Sequence, residues 1–152
     1  MPTELTDLGS GAFGYCTSLK SVTIAPKSSC RPIMAYDSPP FYYVPSLEKI
    51  IFTDGREVID GYGGFIITSD VEIEIPSSVK YFNFYMFFVC TETDYAGSKG
   101  HATLNFYGDC PEFRDEPGSY EGWTIRYDPT TSGWEDCPLI GKCIVEPMKG
   151  KK

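Results

Sequence analysis

The sequence predicts a mainly β protein with irregular turns and little helix, a solenoid whose short strands stack in parallel and in chain order. Three observations predict it. Val22 and Ile24 alternate with the polar Ser21 and Thr23, the pattern of a half-buried strand. The stretch that ends in this strand, residues 5–24 (LTDLGSGAFGYCTSLKSVTI), returns in altered copies further on. Short apolar–polar–apolar triplets also recur at near-regular intervals, and a fixed interval is the mark of a repeat architecture.

The copies share constant offsets. In the first half of the unit, Leu5 falls on Val79, Leu8 on Phe82, Phe13 on Phe87 and Cys16 on Cys90. In the second half, Phe13 falls on Phe41, Cys16 on Val44, Ser18 on Ser46, Leu19 on Leu47, Val22 on Ile50 and Ile24 on Phe52. Gly9, Gly11 and Gly14 punctuate the first half and argue against a long helix there. Strands follow at Val22-Thr23-Ile24, Ile50-Ile51-Phe52, Ile73-Glu74-Ile75, Leu104-Asn105-Phe106 and Ile125-Arg126-Tyr127. The intervals lie in or near the roughly 20–29 residues of a leucine-rich repeat. Insertions between Ile24 and Phe41, and between Cys90 and Leu104, account for the longer ones.

These residues resemble the BspA-type leucine-rich repeat, a family of bacterial and protist surface proteins. Ile75-Pro76-Ser77-Ser78-Val79 matches the opening of its unit, and Leu8-Gly9, Ala12-Phe13 and Cys16-Thr17-Ser18-Leu19 match the remainder. The tail, with Phe106-Tyr107-Gly108-Asp109-Cys110-Pro111, Trp123-Thr124-Ile125-Arg126-Tyr127 and Thr131-Ser132-Gly133-Trp134, looks like the closing segment of many such proteins. Val44 and Ile67 stand in place of the Cys, and Gly64-Phe65 in place of Ala-Phe. The resemblance implies a leucine-rich-repeat solenoid at a cell surface or secreted, with a protein partner on a host, a matrix or another cell.

Taken in order, residues 1–127 read as the solenoid and residues 128–152 as the C-terminal cap and tail of the same domain. Residues 25–40 form a long Pro- and Ser-containing connection. Residues 41–52 repeat the second half of the unit, 58–65 are a degenerate first half, and 66–75 lead into the third strand. Residues 77–90 are the next first half. Residues 91–101 (TETDYAGSKGH) read as an exposed polar insertion, with the fourth strand beginning at Ala102. Residues 111–122 are acidic and turn-rich. From Asp128 onward no repeat spacing is visible, which suits a cap over the open end of the core. No corresponding N-terminal cap is visible, so the first repeat presents an open end.

The chain has 152 residues, enough for one domain with a sizeable core. Its 13 basic and 21 acidic residues give a net charge of −8, the wrong balance for a nucleic-acid partner. No apolar run is long enough to span a membrane, and the first residues carry no apolar signal core.

Catalytic and metal chemistry find little support. Cys16 and Cys90 occupy equivalent repeat positions and read as buried, reduced thiols. Cys30, Cys110, Cys137 and Cys143 lie outside the repeat pattern. Cys137 and Cys143 could close a small disulfide loop in an exported protein. A zinc site is the rival reading, but the sequence has no Cys-x-x-Cys pair and one His. That His101 reads as a solvated loop residue rather than a catalytic base. Glu72 and Glu74 share one strand face, yet a glycosidase would need a carboxylate facing them across a cleft. No catalytic residue, metal or cofactor is expected.

Binding is the constructive reading. Stacked strands would set their outward residues in two columns: Ser21, Lys49, Glu72, Thr103, Thr124 and Thr23, Ile51, Glu74, Asn105, Arg126. Repeat folds use such faces to hold macromolecules. Lys49, Glu72, Glu74, Asn105 and Arg126 are the expected polar contacts, and Ile51 the apolar one. Tyr95, on the insertion, is a second candidate. The alternative to a binding role is that Lys49 and Glu72 simply pair with each other across neighbouring strands. Two functions fit: a non-enzymatic protein-binding or adhesion module, or an assembly component that docks on another repeat or subunit through the open first repeat.

Overall fold

A computed structural model describes residues 8–26, 39–61, 63–91 and 99–150. Strands and turns dominate them. The strands are β1 (Ser21–Ile24), β2 (Lys49–Phe52), β3 (Val58–Ile59), β4 (Phe65–Ile67), β5 (Asp70–Ile75), β6 (Tyr81–Asn83), β7 (Phe87–Val89), β8 (His101–Phe106), β9 (Glu112–Arg114), β10 (Trp123–Tyr127) and β11 (Ile144–Pro147). One 3-10 turn, Phe84–Met86, interrupts them, its first free N–H capped by Asn83 Oδ1, which accepts from Tyr85 N at 2.8 Å.

The main sheet has six strands in the order β1-β2-β5-β8-β10-β11, all parallel. Each strand pairs with the next repeat's strand, the topology expected of a leucine-rich-repeat solenoid. The register is the one implied by the repeat offsets. Val22, Ile50, Ile73, Leu104 and Ile125 stand opposite one another in sequence. All five are buried, the last four completely. Burial of each such side chain contributes about 1.5–3 kcal/mol before entropy is counted.

Two smaller sheets carry the rest of each turn. β3, β6 and β9 form one; β4 and β7 form the other, to which Phe41 adds a bridge at Phe65. Sequence alternation did not reveal these strands. They are two or three residues long, too short for a period of two to register. β9 lies within residues 111–122, which read as turn alone.

The repeat's Phe position explains why the turns stack at a constant height. Phe13 and Phe41 stack with ring centroids 5.1 Å apart, Phe41 and Phe65 at 4.4 Å, and Phe65 and Phe87 at 5.5 Å. These spacings match the roughly 4.7–4.9 Å between neighbouring strands, so one aromatic side chain per turn fills the interior without a gap. The Cys position behaves likewise. Val44, Ile67 and Cys90 are buried, and burial raises the Cys90 thiol above its usual pKa. Cys16 departs from expectation and is half-buried.

Close approach between turns fixes Gly108, as it does Gly100. A Cβ on Gly108 would lie 2.6 Å from the Ser77 carbonyl oxygen, inside contact distance of the turn beneath.

Two readings at the end of the chain change. His101 is the first residue of β8, in register with Asp70, and its Nε2 lies 3.0 Å from Thr124 Oγ1. It is half-buried on the sheet, and its N–H donates a ladder hydrogen bond to Ser69 O at 3.0 Å. Residues 128–152, read as a cap without repeat spacing, also contain β11, which extends the sheet beside β10. Before β11, Trp134 stacks on Tyr127 at 4.9 Å and donates Nε1–H to Gly108 O at 3.2 Å. Trp134, Cys137 and Leu139 are buried at that end of the core.

Candidate functional site

The outward columns form as spaced in the sequence. Ser21, Lys49, Glu72, Thr103 and Thr124 lie in register across β1, β2, β5, β8 and β10. Thr23, Ile51, Glu74, Asn105 and Arg126 form the neighbouring column. A strand period of two places both columns on the face away from the core.

Charge organises this face differently from the direct pair of Lys49 with Glu72. Lys49 Nζ reaches diagonally to Glu74 Oε1 at 2.9 Å. Glu72 Oε1 instead lies 3.9 Å from Arg126 Nη1, across the intervening β8. Arg126 also donates Nε–H to Glu146 Oε1 of β11 at 3.0 Å. Tyr107 donates its hydroxyl to Glu74 Oε2 at 2.5 Å. Partial burial, the bond to Glu74 and the nearby carboxylates push the Tyr107 phenol up to about 12, so it stays a donor at physiological pH. The bond to Glu74 and its charge likewise raise Lys49, which stays cationic.

These two clusters line two adjoining recesses. Lys49, Ile51, Glu74 and Tyr107 help line one of about 600 Å³. Glu72, Glu74, Asn105, Tyr107, Arg126 and Glu146 help line the other, of about 330 Å³. Glu74 and Tyr107 belong to both. Asn105 is covered rather than projecting, with 7% of its surface exposed, and forms part of the floor. Six residues expected from the sequence are thus gathered on one surface. Tyr95 lies outside the described residues.

Tyr107 and Glu146 were missed. The alternation of β8 carried one step further would have placed Tyr107 beside Asn105. For Glu146 the signal was the apolar Val145 at a repeat interval from Ile125, masked by the intervening turn-rich segment.

An apolar recess of about 600 Å³ lies elsewhere, lined in part by Phe84, Tyr85, Phe87, Phe88 and Trp123. Phe88 is largely exposed there. Among the described residues, no group of three or more His, Cys, Asp or Glu side chains is arranged to hold a metal ion. No described helix is long and apolar enough to cross a membrane.

Comparison with protein families matches residues 1–103 to the BspA type leucine-rich repeat region, in six copies. Neither curated proteins nor solved structures gave a match. The match spans more than half of the chain, and the parallel stack continues beyond it through β10 and β11. The chain belongs to the BspA-type leucine-rich repeat family.

Proposed function

We propose that this protein is a non-enzymatic protein-binding module whose outward strand face holds its partner. One observation carries the reading. Two polar clusters, Lys49–Glu74–Tyr107 and Glu72–Arg126–Glu146, lie side by side on the outward strand face and line two adjoining recesses. Such a surface has fixed donors and acceptors, which suits recognition of a protein surface of matching pattern. Glu72 and Glu74 are turned toward cations and a phenol rather than toward each other across a substrate. The partner would be a host, matrix or cell-surface protein, with the chain displayed at a cell surface or secreted, as the family resemblance implies. Tyr95 remains a second contact candidate.

The test pairs Glu72→Lys with Glu74→Lys and measures affinity for a panel of purified matrix and cell-surface proteins. Loss of binding with an unchanged melting transition supports the strand face. Retained binding moves the site elsewhere, with the Tyr95 insertion next in line.

A second reading, as an assembly component, draws on β1. Among the described residues it forms one edge of the main sheet, and Phe13 is the first ring of the aromatic stack and partly exposed. The opposite edge strand, β11, carries Pro147, which has no N–H to offer a further strand. Association would therefore use the β1 edge. A concentration-independent monomer by sedimentation rules this reading out.

A further inference from the structure

We propose that the outer edge of β7 takes up an extended, apolar and basic segment of a partner protein as an added parallel strand. The sheet of β4 and β7 stops one turn short of the other two. The main sheet runs on from β8 to β10 and β11, and the sheet of β3 and β6 runs on to β9. A short connection is the cause. Residues 60–69, between β3 and β5, hold β4, whereas residues 115–122, between β9 and β10, hold no strand. This connection cuts the corner and passes β7 at Gly122, where an added Cβ would meet Val89 Cγ1 at 2.9 Å. The apolar recess of about 600 Å³ is lined by β7 and by Pro117, Gly118 and Ser119 of the same connection, in the place of the missing strand. It shares no lining residue with the two charged recesses.

The backbone of β7 defines what fits there. Gly64 N donates to Met86 O at 2.8 Å, and Cys90 N donates to Ile67 O at 3.0 Å. Met86, Phe88 and Cys90 therefore direct their backbone groups to the preceding turn, where Phe88 stands in register with Ile66. Alternation along the strand turns the Phe87 C=O and the Val89 N–H to the opposite edge. Among the described residues no strand pairs with that edge. The Phe87 N–H is already given to Phe84 O. What is left is the acceptor of Phe87 and the donor of Val89, the two groups that bracket one residue of a parallel neighbour. An added residue opposite Phe88 donates its N–H to Phe87 O and accepts from Val89 N–H.

Side chains supply the specificity. β7 reads Phe-Phe-Val and has none of the charges or prolines that blunt an edge strand, whereas β9 carries Glu112 and Arg114 and β11 carries Pro147. Phe88 is 61% exposed beside the recess, and Phe84 and Trp123 help line its apolar wall. In an added strand, the residues on either side of the one opposite Phe88 turn inward to this wall and should be apolar. The residue opposite Phe88 turns outward with it. Lys or Arg suits that position, with its stem along the exposed ring and its charge over it. Charge favours the same choice: Glu121 is exposed next to the lining segment, and the whole chain carries a net charge of −8.

The experiment uses the full chain and a set of labelled synthetic peptides of about seven residues, with Phe, Leu or Val at alternate positions and Lys or Thr between them. Fluorescence polarisation reads binding, and melting curves accompany each variant. The expected result is saturable binding by the Lys-containing members. Phe88→Ala should weaken it about tenfold or more at an unchanged melting temperature, while Lys49→Ala on the charged face leaves it unchanged. N-methylation of the tightest peptide, one amide at a time, should weaken binding at alternate amides, because only every second one faces β7. No binding by any member, binding indifferent to Phe88→Ala, or an N-methyl scan without a period of two overturns the proposal. Binding that arises only after residues 92–98 are replaced by a Gly-Ser linker also overturns it, and gives the edge to the chain's own insertion. A dimer that Phe88→Ala dissociates and the peptides do not displace overturns it in favour of a second copy.

Discussion

Lys49 Nζ lies 2.9 Å from Glu74 Oε1, although Glu72 is the residue directly opposite Lys49 in the β2–β5 register. The diagonal pairing leaves Glu72 for Arg126 and ties Glu74 to both Lys49 and Tyr107. Both partners keep some solvent contact, so the pair is worth little to stability. A double-mutant cycle of Lys49→Ala with Glu74→Ala should give a coupling of at most about 1 kcal/mol in denaturant unfolding. A coupling several times larger would mean that the face is drier and more rigid than its exposure indicates.

The stacked phenylalanines carry far more. Phe41 and Phe65 are 1% and 0% exposed and touch a ring above and below. Phe65→Ala should cost about 3–5 kcal/mol. Phe65→Leu keeps most of the volume and should cost about 1.5 kcal/mol or less. Urea unfolding checks both, and equal losses would show that the stack is not what fills this layer.

Gly108 is a steric requirement. Gly108→Ala forces its Cβ toward the Ser77 carbonyl at 2.6 Å, and the backbone must shift. The expected loss is about 1–3 kcal/mol. Gly118→Ala serves as the control, since nothing lies within 4 Å of its added Cβ.

Acid should loosen the end of the chain first. Asp109 is held below its ordinary 3.8 by the Ser132 N–H and hydroxyl. Asp128 is held below it by the Thr130 N–H and hydroxyl. A depressed folded-state value gives stability that is present above 3.8 and is lost as pH falls through the lowered value. Asp109→Asn should therefore be less stable than the unaltered chain at neutral pH, with the gap closing below 3.8. Thermal melts across that range decide it, and a gap independent of pH would remove the carboxylate from the account.

The main sheet was legible because its five repeat strands keep an alternating pattern at near-constant spacing. Val22, Ile50, Ile73, Leu104 and Ile125 occupy one register line as their spacing requires. The short strands β3, β4, β6, β7 and β9 were not legible as strands, since two or three residues carry no usable period. β11 was hidden by the Trp134 turn and by a spacing that begins after a cap-like stretch. On the candidate face, residue direction followed from alternation alone. Side-chain pairing did not, because a long Lys or Arg chooses among several carboxylates within reach. That choice sent Lys49 to Glu74 and Arg126 across β8 to Glu72. His101 was misplaced for a related reason: strand ends are set by ladder hydrogen bonds, here from His101 N to Ser69 O, which local polarity does not report.

The most direct test of the account is the affinity of the unaltered chain and of the Glu72→Lys, Glu74→Lys double variant for a matrix or cell-surface protein that the unaltered chain binds, measured by surface plasmon resonance with matched melting curves. The account predicts saturable binding by the unaltered chain and a loss of tenfold or more, equal to about 1.4 kcal/mol, in the variant at the same melting temperature. Undiminished binding by the folded variant, or no binding by the unaltered chain across the panel, would contradict it.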